Sequence, residues 1–137
     1  LEAMRRGAWR PPSSELLGLE LVALEGDGCT VEMETVPAHA NPMGTLAGGV
    51  LTALADLAMG GAYANGLAED ESFTTLELKI NFLKPVWTGR LRAEGRVVKR
   101  GRTVGLVECD VKNGEGALVA RASSTCLTLR GREADGR

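Results

Sequence analysis

Asp56 is the one charged side chain between Asn41 and Ala68, and every neighbour in that run is small, apolar or uncharged. An ionised carboxylate on a helix apolar on nearly all sides is costly unless it is paired, hydrogen-bonded or shifted in pKa. The expectation is therefore that protein wraps Asp56 and that the carboxylate does chemistry. Gly48 and Gly49 stand where this helix should begin. Two adjacent glycines let backbone N–H groups approach a ligand closely, and the helix dipole there favours an oxygen with developing negative charge. Carboxylate and donor are then expected to face one cavity. The residues also admit a structural reading, with Asp56 bonded to Thr52 one turn earlier or standing on a surface stripe.

Several other chemistries lack their residues. His39 is the only histidine, and no GxSxG elbow accompanies the serines, so a Ser-His-Asp or Cys-His arrangement would have to use that one imidazole. In a loop beside Asn41 and Pro42, a histidine more often faces water or stabilises a turn. No metal-ligand cluster is visible, and neither GxxxxGK[ST] nor GxGxxG occurs, so neither metal nor cofactor is expected. The basic run Arg96 to Arg102 is readable as a solvated turn or as a phosphate contact. A net charge of −2 predicts no general affinity for nucleic acid. Cys29, Cys109 and Cys126 are odd in number and form no CxxC, which favours buried free thiols. No apolar run reaches membrane-spanning length and Leu1 to Arg6 lacks a signal-peptide core, so the expected location is the cytoplasm, without membrane contact.

The elements that must hold these residues follow from periodicity. Leu19 to Leu24 and Thr30 to Val36 flank Glu25-Gly26-Asp27-Gly28 and read as a hairpin, with Val31, Met33 and Thr35 on one face of its second arm. Pro37 to Gly44 reads as a loop. A buried helix is predicted from about Ala47 to about Asn65, with Gly66 as C-cap. In the next strand Leu76, Leu78, Ile80 and Phe82 alternate with Thr75, Glu77, Lys79 and Asn81, and Pro85 stops it. Arg90 to Lys99, Thr103 to Val111 and Ala117 to Leu129 read as three further strands, followed by a frayed polar tail. Two strands, one buried helix and four strands predict an α+β fold in one domain over residues 1–137, an antiparallel sheet curled around a central helix. So many Ala and Gly on that helix allow close approach by a sheet or a second subunit.

Asn41-Pro42, Gly44, Gly48-Gly49, Ala55-Asp56, the strand from Thr75 to Pro85 and Gly101-Arg102 recur in an order and spacing that resemble the hotdog-fold acyl-CoA thioesterases of the phenylacetic-acid-degradation type. The resemblance spans roughly residues 17–129. It implies hydrolysis of an acyl-coenzyme A thioester without metal or cofactor, in a homotetramer of two hotdog dimers with sites at the dimer interface. Position by position, it implies that the Gly48 N–H meets the thioester carbonyl, with Gly49 beside it. Asn41 would stand next to the carbonyl or the attacking water, and Thr75 would orient that water. Asp56, from the opposite subunit, would act as general base or nucleophile. Arg100, Gly101 and Arg102 would contact coenzyme A phosphates. Many relatives have a histidine where this chain has Ala47, which keeps a slow acyl-CoA-binding or sensing protein as the alternative. A hotdog dehydratase would need a histidine near Asp56, and the sequence offers none.

Overall fold

The computed structural model describes residues 10–137. A short helix α1 (Pro12–Leu17) leads into β1 (Glu20–Glu25) and β2 (Gly28–Glu34). The long helix α2 (Gly48–Asn65) follows, and then β3 (Ser72–Phe82), β4 (Arg90–Arg100), β5 (Val104–Lys112) and β6 (Leu118–Leu129). The six strands form one sheet in the order β1-β2-β4-β5-β6-β3, with every adjacent pair antiparallel. Sheet and central helix form the expected α+β hotdog architecture. β3 ends as an edge, so one side of this 11-residue strand has no partner strand among the described residues.

Helix α2 buries Leu51, Leu54, Ala55, Ala58, Met59 and Ala62, a spacing of three and four residues that places them on one face against the sheet. The facing positions of β2 and β4 supply Cys29, Val31, Met33, Leu91 and Ala93, alternating as strands require. Close approach is built in at Gly95 of β4, where a Cβ would collide with the carbonyl of Ala58. The far end of the helix is held by Arg100. Its Nη2 donates to the Tyr63 carbonyl at 2.9 Å, and its guanidinium lies 4.3 Å from the centre of the Tyr63 ring. A cation at a helix C-terminus is favoured both by the free carbonyls and by the dipole. Gly66 does terminate α2, but with φ −96° rather than a left-handed conformation. A side chain there would meet the Arg100 guanidinium, with Nη2 only 2.5 Å from the Cβ position.

Alternation in β3 departs from the sequence reading. The register with β6 slips between Thr75 and Glu77, leaving Leu76 as the extra residue of a bulge. Leu76 is accordingly 55% exposed, while Leu78 and Ile80 pack on the core. The extra residue shifts the inward set upstream of it by one, which turns Phe73 and Thr75 toward α2. The outer face of the sheet is polar, with Arg90 and Arg92 on Glu32, Lys112 on Glu94, and Arg121 on Asp110. Hydrogen bonds from Arg90 to Glu32 and from Arg121 to Asp110 hold both carboxyls below their ordinary range. All three cysteines are free and buried, and burial pushes the Cys29 and Cys109 thiols up to about 12.

Candidate active site

The start of α2 is a donor site because no side chain among the described residues caps it. Ala47 occupies the N-cap in an extended conformation and has no side-chain oxygen to offer. The N–H groups of Val50 and Leu51 both turn back to the Ala47 carbonyl, whereas those of Gly48 and Gly49 have no acceptor among the described residues. Gly48 lines a cavity of about 390 Å³ with Asn41, Leu51, Phe82 and Pro85. A Cβ at Gly48 would stand 2.9 Å from Phe82 Cζ, whereas one at Gly49 would meet nothing within 4 Å. A side chain at 48 would thus have to push the ring aside, and one at 49 would enter open space.

Asn41 reaches the same cavity, but most of its amide organises its own loop. Oδ1 accepts from the N–H of Met43 at 2.9 Å and of Thr45 at 3.2 Å, and Nδ2 donates to Thr45 Oγ1 at 2.8 Å. A primary amide has two N–H donors, so one is left for a ligand.

The single chain does not by itself wrap Asp56. In the single chain it is exposed, on a face of α2 that the sheet leaves uncovered. The hydroxyl of Thr75 donates to its Oδ1 at 3.2 Å, an interaction that the β3 bulge makes possible. Thr52 is not its partner: that hydroxyl donates to the Gly48 carbonyl at 2.7 Å. Asp56 and Thr75 line a second cavity of about 220 Å³ with Leu57, Gly60, Gly61 and Phe73. Carboxylate and oxyanion donor therefore do not face one cavity within a chain. Eight helical residues separate Gly48 from Asp56, about 12 Å along the axis, too far for both to reach one reacting carbon.

His39 is buried rather than solvated, at 6% exposure. Its Nδ1 accepts the N–H of Val36 at 3.2 Å, which fixes the neutral tautomer with the proton on Nε2. Its carbonyl accepts the N–H of Ala47 at 2.9 Å, so eight residues of loop fold back and place His39 directly beside the N-cap. Of the basic turn, Arg100 is committed to the helix end. Gly101 is required because a Cβ would meet the Val104 carbonyl at 2.5 Å. Lys99 and Arg102 are exposed with no side-chain partner among the described residues, and the Arg102 carbonyl accepts Arg130 Nη2 at 2.6 Å. No three His, Cys, Asp or Glu side chains among the described residues cluster to hold a metal ion.

The profile of the Thioesterase superfamily matches residues 43–120, which include the uncapped helix start, Asp56 and Thr75. The chain belongs to this superfamily. A protein of Saccharolobus solfataricus named as a candidate esterase is 33% identical over 116 residues, covering 85% of this chain and 82% of the relative. Among solved structures, a candidate thioesterase of Ralstonia eutropha JMP134, described as phenylacetic acid degradation-related, superposes with a TM-score of 0.84 at 31% identity. It covers 92% of this chain and 97% of its own. A thioesterase from Haemophilus influenzae gives the same TM-score at 26% identity, with coverages of 90% and 86%. As a member of the Thioesterase superfamily the chain is a thioester-hydrolysing enzyme with a hotdog fold. Thioesterase chemistry needs an oxyanion donor and a means of delivering water or a nucleophile. The start and the middle of α2 supply a candidate for each. Among the described residues, no helix of this thioesterase is long and apolar enough to cross a membrane.

Proposed function

We propose that the protein hydrolyses acyl-coenzyme A thioesters at sites built from two copies of the chain, with Gly48 from one copy and Asp56 from the other. The observation that carries this reading is the separation on α2: two free N–H groups at the helix start and an exposed, Thr75-bonded carboxylate about 12 Å away. Each half lacks what the other holds. The unpaired edge of β3 supports the assembly, because a second β3 laid antiparallel against it would complete the sheet and bring each Asp56 toward its neighbour's helix start. Two such dimers would form the tetramer.

In this reading the thioester carbonyl accepts from the Gly48 N–H, assisted by the dipole of an 18-residue helix, and the free N–H of Asn41 steadies the carbonyl or the water. Asp56 either takes a proton from water as that water attacks the carbonyl carbon, and returns it to the departing coenzyme A thiolate, or attacks the carbon itself. Direct attack expels the thiolate, which takes a proton from solvent, and leaves a mixed anhydride that water then cleaves to the free acid. The Thr75 hydroxyl aims the carboxylate. Arg102, with the exposed Lys99 near it in the same basic run, is available to a coenzyme A phosphate, and Gly49 lets the acyl-CoA pass close to the backbone. Asp56→Asn keeps the shape and removes the base, so kcat is expected to fall at least ~100-fold with melting almost unchanged, the carboxylate being exposed. Thiol release within a few-fold of the parent would remove Asp56 from the mechanism. The protein's own buried thiols stay silent in such an assay at neutral pH.

A further inference from the structure

A third cavity, of roughly 290 Å³, lies on the other side of the loop that carries Asn41 and is not used by the mechanism above. Its lining is mostly apolar, from Val36, Pro37, Ala40, Leu46 and Trp87, with Thr35 and Thr88 at its edge and His39 as the buried polar side chain. Nδ1 of that imidazole is occupied by the Val36 N–H, and Nε2–H has no protein acceptor among the described residues. That donor opens on the cavity, where water can reach it in the free protein and where an apolar occupant would strip the water away and leave it without a partner. Trp87, 65% exposed, stands at the cavity, and its ring edge lies 3.7 Å from the Cβ position of Gly44.

The cavity is next to the oxyanion donor. Leu46 lines both it and the Gly48 cavity, and the Leu46 N–H donates to the Val86 carbonyl at 2.8 Å, one residue before Trp87. The two cavities share Leu46 in their linings and adjoin at the Val86-Trp87 step. A group whose thioester carbonyl is held at Gly48 has this cavity as an apolar space for its far end.

We infer that the His39–Trp87 cavity receives the far end of the acyl group and that His39, through Nε2–H, selects acyl groups carrying an acceptor oxygen there. This rests on the acyl-CoA thioesterase reading. An apolar acyl end would displace water from this N–H and leave it unpaired, whereas a keto or hydroxyl oxygen would satisfy it, and discrimination follows from that difference. His39 is on this view a specificity-determining residue, distinct from the groups that act on the thioester.

The test compares hexanoyl-CoA with its methyl-ketone counterpart, whose keto oxygen lies one carbon from the chain end, by thiol release. Uncleavable thioether analogues of the same pair are titrated against the Trp9→Phe protein, in which Trp87 is the only indole left. The expected result is a kcat/KM about tenfold higher for the keto substrate, and stronger quenching of Trp87 by the keto analogue. His39→Phe should bring the ratio to about one, and His39→Gln, which can both accept from Val36 and donate, should keep part of it. Should His39→Phe misfold, Trp87→Ala, at an exposed position, serves instead and should reduce the ratio and raise KM. A ratio near one in the parent, or turnover without any change in Trp87 emission, overturns the inference and leaves the thioesterase reading standing. Release of thiol from neither substrate counts against the thioesterase reading. The quench then decides for the cavity alone: a keto-selective signal retains it, and an unselective or absent one overturns it.

Discussion

Gly48→Ala separates a glycine kept for catalysis from one kept for packing. The added Cβ would lie 2.9, 3.2 and 3.4 Å from three atoms of the Phe82 ring. Ordinary carbon contacts are about 3.5–4.0 Å, so the ring must move by roughly 0.6–1 Å. Phe82 ends β3 and is 54% exposed, so it can swing toward solvent with little loss of buried area. Against this, alanine is the better helix former by up to about 1 kcal/mol. The two effects nearly cancel, and the stability of the variant should lie within about 1 kcal/mol of the parent, a shift of a few degrees at most. Catalysis should respond differently. The displaced ring and the new methyl both enter the cavity that Gly48 lines, where a misplacement of about 1 Å costs on the order of 100-fold. Denaturant melts paired with kcat/KM for thiol release read both effects, and Gly48→Ala/Phe82→Leu should recover much of the lost rate by relieving the clash. A large loss of stability would show that the ring cannot yield. An unchanged rate would show that the helix start is not at the reacting carbonyl.

Arg100→Met should lower stability by about 1–2 kcal/mol, because it removes the hydrogen bond to the Tyr63 carbonyl and the contact with the Tyr63 ring. KM for acyl-CoA should stay within twofold or so, since the guanidinium is committed to the helix end; a raised KM with unchanged melting would restore the phosphate-binding role. Alkaline pH should destabilise the fold. Cys29 and Cys109 rise from 9.0 to about 12 on folding, by burial, so the unfolded thiols ionise first and stability is lost as pH climbs through that window. Each thiol contributes a slope of up to about 1.4 kcal/mol per pH unit. Cys29→Ala/Cys109→Ala should flatten the curve above pH 9 and leave it alone near neutrality, and an unchanged alkaline slope would refute this.

The hotdog architecture was legible because its signals are periodic. Cys29, Val31 and Met33 alternate with polar residues in β2, and the apolar run of α2 has no competing pattern. The bulge in β3 was not legible: Leu76 fits the alternation as well as Leu78 does, and only pairing with β6 shows that it is the extra residue. Thr75 was consequently assigned to the outer face. Asp56 was singled out correctly as unusual, but its exposure was misjudged because a helix rich in Ala and Gly reads the same whether its second face meets a sheet or stands open. Arg100 and Asn41 carry motif positions whose side chains are drawn into local bonds, and such bonds depend on tertiary neighbours that sequence spacing does not specify. His39 beside Ala47 could have been anticipated from the loop between them, since Asn41 to Thr45 has the turn residues Pro42 and Gly44 needed to bring the chain back.

The shared site is the central claim, and reassortment of two inactive variants tests it most directly. Asp56→Asn and Gly48→Ala chains are each purified, mixed in equal amounts, dissociated and allowed to reassemble. If Gly48 and Asp56 come from different copies, each mixed dimer holds one doubly altered site and one intact site. Random reassembly should then restore about a quarter of the parent's thiol-release rate. If one chain supplies both residues, every site carries one lesion, and the mixture would show no more activity than the average of its two components.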